Sequence, residues 1–148
     1  MTQHYNTLPC DAGVLIPHEP PMLLVSKLIK IEDESVEGDV SIIEAEAPET
    51  GPFVSNGAIL PEYYIEVMAQ AIAAKDGFPM DEGKTPATGL LTGIEDFSWQ
   101  TAAKCGEIIR IQVRKTFEFG SAFIIEGTIQ GISGEIARGK LKIWKLEK

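Results

Sequence analysis

Two cysteines and two histidines are all that the 148 residues hold of the softer metal-ligating side chains. Cys10 and Cys105 are far apart, and His4 and His18 do not complete a ligand spacing with them. No metal site is expected, and both thiols are expected to be free, as in a reducing compartment. The chain does not open with a basic stretch followed by an apolar run, so no secretory leader is expected. No apolar segment approaches the roughly 20 residues of a membrane span. These absences together predict a cytoplasmic protein with no membrane partner. Basic residues are scarce where most of the chain lies: residues 1–100 hold 4 against 17 acidic ones, and the net charge is −9. Nucleic-acid binding rests on phosphate neutralisation by Lys and Arg, so that class is excluded. A glycine-rich phosphate loop and a dinucleotide fingerprint are also missing, and no cofactor is expected.

What is present is ordinary for a folded domain, at 44% hydrophobic and 24% charged residues. The length suits one domain, 1–148, with residues 1–21 as an irregular lead-in rich in Pro, Gly, Asn and Thr. Residues 22–31 (MLLVSKLIKI) read as a strand and 35–43 (SVEGDVSII) as its hairpin partner, while 47–58 read as loop. One helix stands out, because Ile59, Leu60, Tyr63, Tyr64, Val67, Met68, Ala71 and Ile72 repeat with a 3.6-residue period. Pro61 suits its first turn and Gly77 followed by Pro79 its stop, giving about 16 residues. Strands follow at 88–99, 107–119, 123–132 and 135–146, with tight turns at Gly120-Ser121 and Ser133-Gly134. In the second of these, Ile109, Ile111, Val113 and Phe117 are expected on one face and Arg110, Gln112, Arg114 and Thr116 on the other. Two strands, a long helix and four long antiparallel strands make an α+β domain whose sheet must wrap round the helix to bury it. The last 48 residues reverse the charge balance, with 9 basic and 5 acidic residues. That reads either as a solvated outer sheet face or as a docking surface for an acidic partner.

The helix carries the chemistry. From Val67 to Ala74 (VMAQAIAA) it has no charge and one polar side chain, Gln70, so burial on nearly every side is expected. Glu66 stands at the edge of that segment and Gln70 one turn further on the same face. A carboxylate there is either a peripheral group reaching water or a partly desolvated acid suited to proton transfer. Ala69 and Ala73 leave space beside it for a ligand or another chain. The free N–H groups at the helix start favour negative charge, as on a thioester oxygen during enolate formation.

The string Leu15-Ile16-Pro17-His18-Glu19-Pro20-Pro21-Met22-Leu23-Leu24-Val25 resembles the start of FabZ-type 3-hydroxyacyl-[acyl-carrier-protein] dehydratases. Ile65-Glu66-Val67-Met68-Ala69-Gln70-Ala71 matches their helix motif, and the resemblance is closer still to the FabZ-like dehydratases of aryl-polyene and type II polyketide clusters. It implies the hot-dog fold, a long antiparallel sheet around one central helix. It also implies dimers with the site at the subunit boundary, as a homodimer or a heterodimer with a related hot-dog subunit. The ligands implied are acyl thioesters on acyl carrier protein or coenzyme A. Carried over residue by residue, it makes Glu66 the catalytic carboxylate, with Gln70 and Gly57 as substrate-binding residues. One departure stands against these matches: the loop that in the family holds a histidine in a His-Phe-Pro-Gly type of string is here Glu49-Thr50-Gly51-Pro52-Phe53-Val54-Ser55-Asn56-Gly57. Pro61 also falls near the family's helix-start glycine and has no N–H to offer. His18, which the resemblance makes a packing residue, is the substitute candidate for proton transfer.

Three functions fit these residues. A dehydratase takes a 3-hydroxyacyl to a 2-enoyl thioester and needs an acid and a base. A catalytically impaired or binding subunit needs only the fold and a partner, with Arg110, Arg114, Arg138, Lys140 and Lys142 as its docking face. A thioesterase needs one carboxylate and an oxyanion site, and no histidine.

Overall fold

The computed structural model describes residues 7–32, 40–78 and 88–146. Its strands are β1 (Cys10–Asp11), β2 (Lys27–Glu32), β3 (Val40–Glu46), β4 (Val54–Ser55), β5 (Ala58–Ile59), β6 (Thr88–Trp99), β7 (Ile108–Phe119), β8 (Ala122–Gly131) and β9 (Gly134–Leu146). The helix α1 (Glu62–Asp76) lies between β5 and β6. Seven strands form one sheet in the order β1-β2-β3-β7-β8-β9-β6, every neighbouring pair antiparallel, and β4 and β5 form a separate hairpin.

Element lengths force the wrap. Strands of 12 or 13 residues reach about 40 Å, whereas the 15-residue helix spans about 22 Å. The strands outrun the helix and curl over it, with Ile43, Ala45, Ile109, Ile111, Val113, Ile125, Ile129 and Leu141 turned inward and fully buried or nearly so. The helix meets them with Tyr63, Tyr64, Val67, Met68, Ala71, Ile72 and Ala74, and no residue from Tyr63 to Phe78 is exposed. The expected α+β hot-dog architecture is the one observed.

Several boundaries differ from the sequence reading, each for a local reason. The first long strand begins at Lys27 rather than at residue 22, because the backbone at Met22 and Leu24 bonds to the Gln70 side chain instead of to a neighbouring strand. Its partner runs over Val40–Glu46, and residues 33–39 of the expected hairpin lie outside the described residues. The stretch read as loop at 47–58 contains the β4–β5 hairpin, turned on Asn56 (φ 53°) and Gly57 (φ 76°). Two consecutive positive φ values suit an Asn-Gly pair. The lead-in is not wholly irregular, since Cys10 and Asp11 pair with Leu28 and Lys27, and Cys10, Ala12, Leu15 and Ile16 join the core.

In β7 the expected alternation holds through Ile109, Ile111, Val113 and Lys115 and then breaks. A register shift between Lys115 and Phe117 leaves Lys115 opposite buried Ile125 and Phe117 opposite Ile124. The extra residue reverses the side-chain phase. Phe117 is consequently 55% exposed rather than inward, while Lys115, ahead of the shift, keeps the inward phase and faces the helix.

Candidate active site

Glu66, Gln70 and His18 come together at one end of a cleft. Gln70 is the only buried polar side chain of the helix, at 1% exposure. Its amide is fixed by three bonds: the Leu24 N–H donates to Oε1 at 2.8 Å, and Nε2 donates to the Met22 carbonyl at 2.7 Å and to Glu66 Oε2 at 3.3 Å. One side chain thus stands in for the missing strand pairing of residues 22–24 and presents its N–H to the carboxylate. The amide orientation follows from this network, since Oε1 must face the Leu24 donor.

The clamp also explains how His18 reaches the helix. Leu15 and Ile16 are buried, and the Leu15 carbonyl approaches Gly77 so closely that a Cβ there would collide with it. With the segment pinned at Leu15 on one side and at Met22 and Leu24 on the other, His18 lies over the open face of α1. Its Nε2 is 3.9 Å from Glu66 Oε2, and the two side chains are 31% and 34% exposed. The Nδ1 of His18 is buried with no hydrogen-bond partner among the described residues. Oε2 of Glu66 receives Gln70 and faces His18, while Oε1 has no partner among the described residues.

From this cluster a cleft of about 110 Å³ runs along α1 past Ala69, Ile72 and Ala73 to Asp76. Gly89 and Leu91 of β6, Phe123 of β8, and Ile143 and Lys145 of β9 form its other wall. Small helix residues give it depth, and its middle is apolar. It is open along one side, at the edge strand β6.

Two expectations place differently. Gly57 is at the tip of the β4–β5 hairpin, where its carbonyl accepts the Cys105 thiol at 3.5 Å, and it does not line this cleft within one chain. The helix start does not line it either, and the N–H groups of Tyr63 and Tyr64 already donate to the carbonyls of Leu60 and Pro61 at 3.0 Å. The sequence reading missed Asp76 and Lys145 at the cleft's far end, although Asp76 is seven residues from Ala69 and three from Ala73, which puts it on the helix side that walls the cleft. Cys10 and Cys105 are both free thiols, the first buried with its pKa raised chiefly by that burial. The basic face on the outer sheet surface is partly neutralised: Arg138 bonds Glu135 at 2.6 and 2.8 Å, and Lys142 pairs with Glu95 at 3.1 Å.

No helix among the described residues is long and apolar enough to cross a membrane. The chain is similar to the FabZ 3-hydroxyacyl-[acyl-carrier-protein] dehydratase of Natranaerobius thermophilus, 29% identical over 136 residues that cover 90% of this chain and 94% of that protein. It is 30% identical to the enzyme of the same name from Caldicellulosiruptor bescii over 103 residues, covering 66% and 69% respectively. Among solved structures it resembles a chain of the dehydratase heterocomplex ApeI:P from Xenorhabdus doucetiae, with a TM-score of 0.78, 25% identity and coverage of 97% of this chain and 94% of that one. Residues 10–148 match the ApeP-like family, described as ApeP dehydratase, so that nearly the whole chain, including the helix motif, the clamp and the cleft, belongs to the ApeP-like dehydratases.

Proposed function

We propose that the protein dehydrates 3-hydroxyacyl thioesters to 2-enoyl thioesters, with Glu66 and His18 as the proton-transferring pair and Gln70 as the residue that positions Glu66. The observation that carries this reading is the convergence of an oriented carboxylate and an imidazole at the mouth of an apolar cleft. With Oε2 held by Gln70, the free Oε1 takes the proton from C2. The electron pair left behind forms the C2=C3 bond as the C3–O bond breaks, and the hydroxyl departs as water with a proton handed over by His18. The thioester carbonyl absorbs the developing charge, so elimination needs no redox group, metal or other cofactor. The apolar cleft suits the acyl chain. The FabZ relatives support acyl carrier protein as the carrier, with coenzyme A as its chemical equivalent, and such substrates suit a cytoplasmic enzyme. The heterocomplex neighbour supports a second hot-dog subunit closing the open side of the cleft.

The absence of histidine from residues 49–57 favours a second reading, in which this chain is the partner subunit of a heterodimer and a histidine from the other subunit completes the site. The test is hydration of a 2-enoyl thioester, followed as loss of its conjugated ultraviolet absorbance. Glu66→Gln is expected to lower the rate by about 10²–10⁴-fold, the usual worth of a positioned acid or base. An unchanged rate removes Glu66 from the mechanism. Activity of this chain alone that is lost in His18→Asn supports the first reading. Activity that appears only with a histidine-bearing partner, and survives His18→Asn, supports the second.

A further inference from the structure

The cleft that begins at Glu66 ends on an ion pair. The Asp76 carboxylate, 12% exposed, lines its far end and lies 3.5 Å from the ammonium of Lys115, itself 21% exposed, with Lys75 at 3.9 Å from the same oxygen and Glu118 at 3.9 Å from Lys115 as longer outer contacts. Lys115 also sits 4.4 Å above the centroid of the Phe123 ring, another wall residue. This lysine keeps the inward phase of Ile109, Ile111 and Val113, and the register shift that follows it turns Phe117 away. A largely buried ion pair is a poor stabiliser compared with well-packed apolar side chains of the same volume, so its presence in an otherwise apolar wall calls for a reason other than stability.

We infer that Asp76 and Lys115 act as a polar stop that sets the length of acyl chain the cleft accepts. This rests on the dehydratase reading above for where the reacting carbons sit, and deepens it. Among the described residues the lining between Gln70 and Asp76 is Ala69, Ile72 and Ala73 with Leu91, Phe123 and Ile143 opposite, none with a side-chain hydrogen-bonding group, and Lys145 stands beyond Ile143 on β9. The amides of a pantetheine arm would lose water there without replacement, whereas an alkyl chain loses nothing. The acyl chain therefore lies along Ala69 and Ala73. A terminal methyl pressed against the ion pair would strip water from both charges and return no hydrogen bond, so an apolar chain must end before it. Glu66 and Asp76 are ten residues apart, roughly 15 Å of helix, which corresponds to an extended chain of about twelve carbons.

The test is a length series of 3-hydroxyacyl thioesters, with the matching saturated acyl-coenzyme A series in calorimetry, on the assembly that turns over. In the unsubstituted protein kcat/KM rises by about fourfold per methylene, the worth of one buried CH₂, and falls once the chain passes about twelve carbons. The double variant Asp76→Leu with Lys115→Met replaces the pair by apolar groups of similar size, and the fall is expected to disappear. Ala73→Leu, which fills the cleft three residues nearer to Glu66, is expected to move the break to chains shorter by about three carbons. A break that stays where it was in both variants overturns the inference. So does a uniform change across all lengths in the double variant, which would assign the far end to the pantetheine arm. The saturated series cannot react, so a break that moves in binding while turnover is lost on every chain would leave the stop standing and reject the dehydratase reading instead.

Discussion

At the scale of single residues, Gln70 does the most with the least surface. Its amide satisfies a buried N–H at Leu24 and a carbonyl at Met22, and it also holds Glu66. Gln70→Leu keeps the volume and removes all three bonds, leaving two backbone groups without partners at about 1–3 kcal/mol each. Unfolding by urea should show a loss of about 2–5 kcal/mol with an unchanged slope, and the ties at Met22 and Leu24 that help hold His18 over the helix should loosen with it. A variant as stable as the parent would mean that residues 22–24 are held by something else. The helix periodicity made Glu66 and Gln70 legible as neighbours, since one turn separates them. It did not reveal what Gln70 is bonded to, because a side chain gripping backbone 46 and 48 residues upstream leaves no pattern in either segment.

Single elements show where pattern reading works and where it fails. The helix, the four long strands that follow it and the Gly120-Ser121 turn were legible because burial on one face imposes a period and tight turns demand particular residues. The register shift in β7 was not, because an extra residue in a strand is set by the partner strand and not by its own sequence. It displaced Phe117 outward, and Lys115, the charged residue in the inward phase of Ile109, Ile111 and Val113, was not expected in a wall, which is why the far end of the cleft went unseen. The connection into β7 depends on a carboxylate: Glu107 accepts the N–H of Lys104 at 2.9 Å and that of Ile132 at 2.7 Å. These two bonds hold its pKa below the ordinary glutamate value, outweighing a small opposing effect of burial. Because the folded-state value is the lower one, the bonds contribute fully above the unfolded value of about 4.3 and are lost as the pH falls through the folded value. Amide exchange at Lys104 and Ile132 should therefore lose protection, relative to neighbouring strand amides, as the pH falls below the ordinary glutamate range. Glu107→Gln should lack that step. Protection at Ile132 that follows its neighbours throughout would show that the carboxylate does not hold this turn.

For the whole molecule, the sheet is longer than the helix it covers, and the excess is apolar. Leu91 and Ile94 of β6 pair with buried Ile143 and Leu141 and share their inward face, yet they are 41% and 45% exposed. They are left partly uncovered among the described residues because β6 is the edge strand of the sheet, with no further strand beside it, and the cleft separates Leu91 from α1. The sequence did not reveal this, since an exposed leucine and a buried one look alike until the sheet order is known. The same strand walls the cleft, so the surface that lacks cover is continuous with the proposed site. A second subunit laid against it would bury Leu91 and Ile94 and close the side of the cleft through which water now reaches Glu66. Ile94→Lys adds a charge to that surface, away from Glu66, His18 and Gln70. Sedimentation should show a dimeric species reduced to a single chain, and enoyl hydration should fall with it as the cleft opens to solvent. The far-ultraviolet spectrum should be retained, because the residue is already 45% exposed and its loss leaves no core cavity. If the variant remains dimeric and active, the partner lies elsewhere on the molecule, and the open side of the cleft is closed by something other than a second hot-dog subunit.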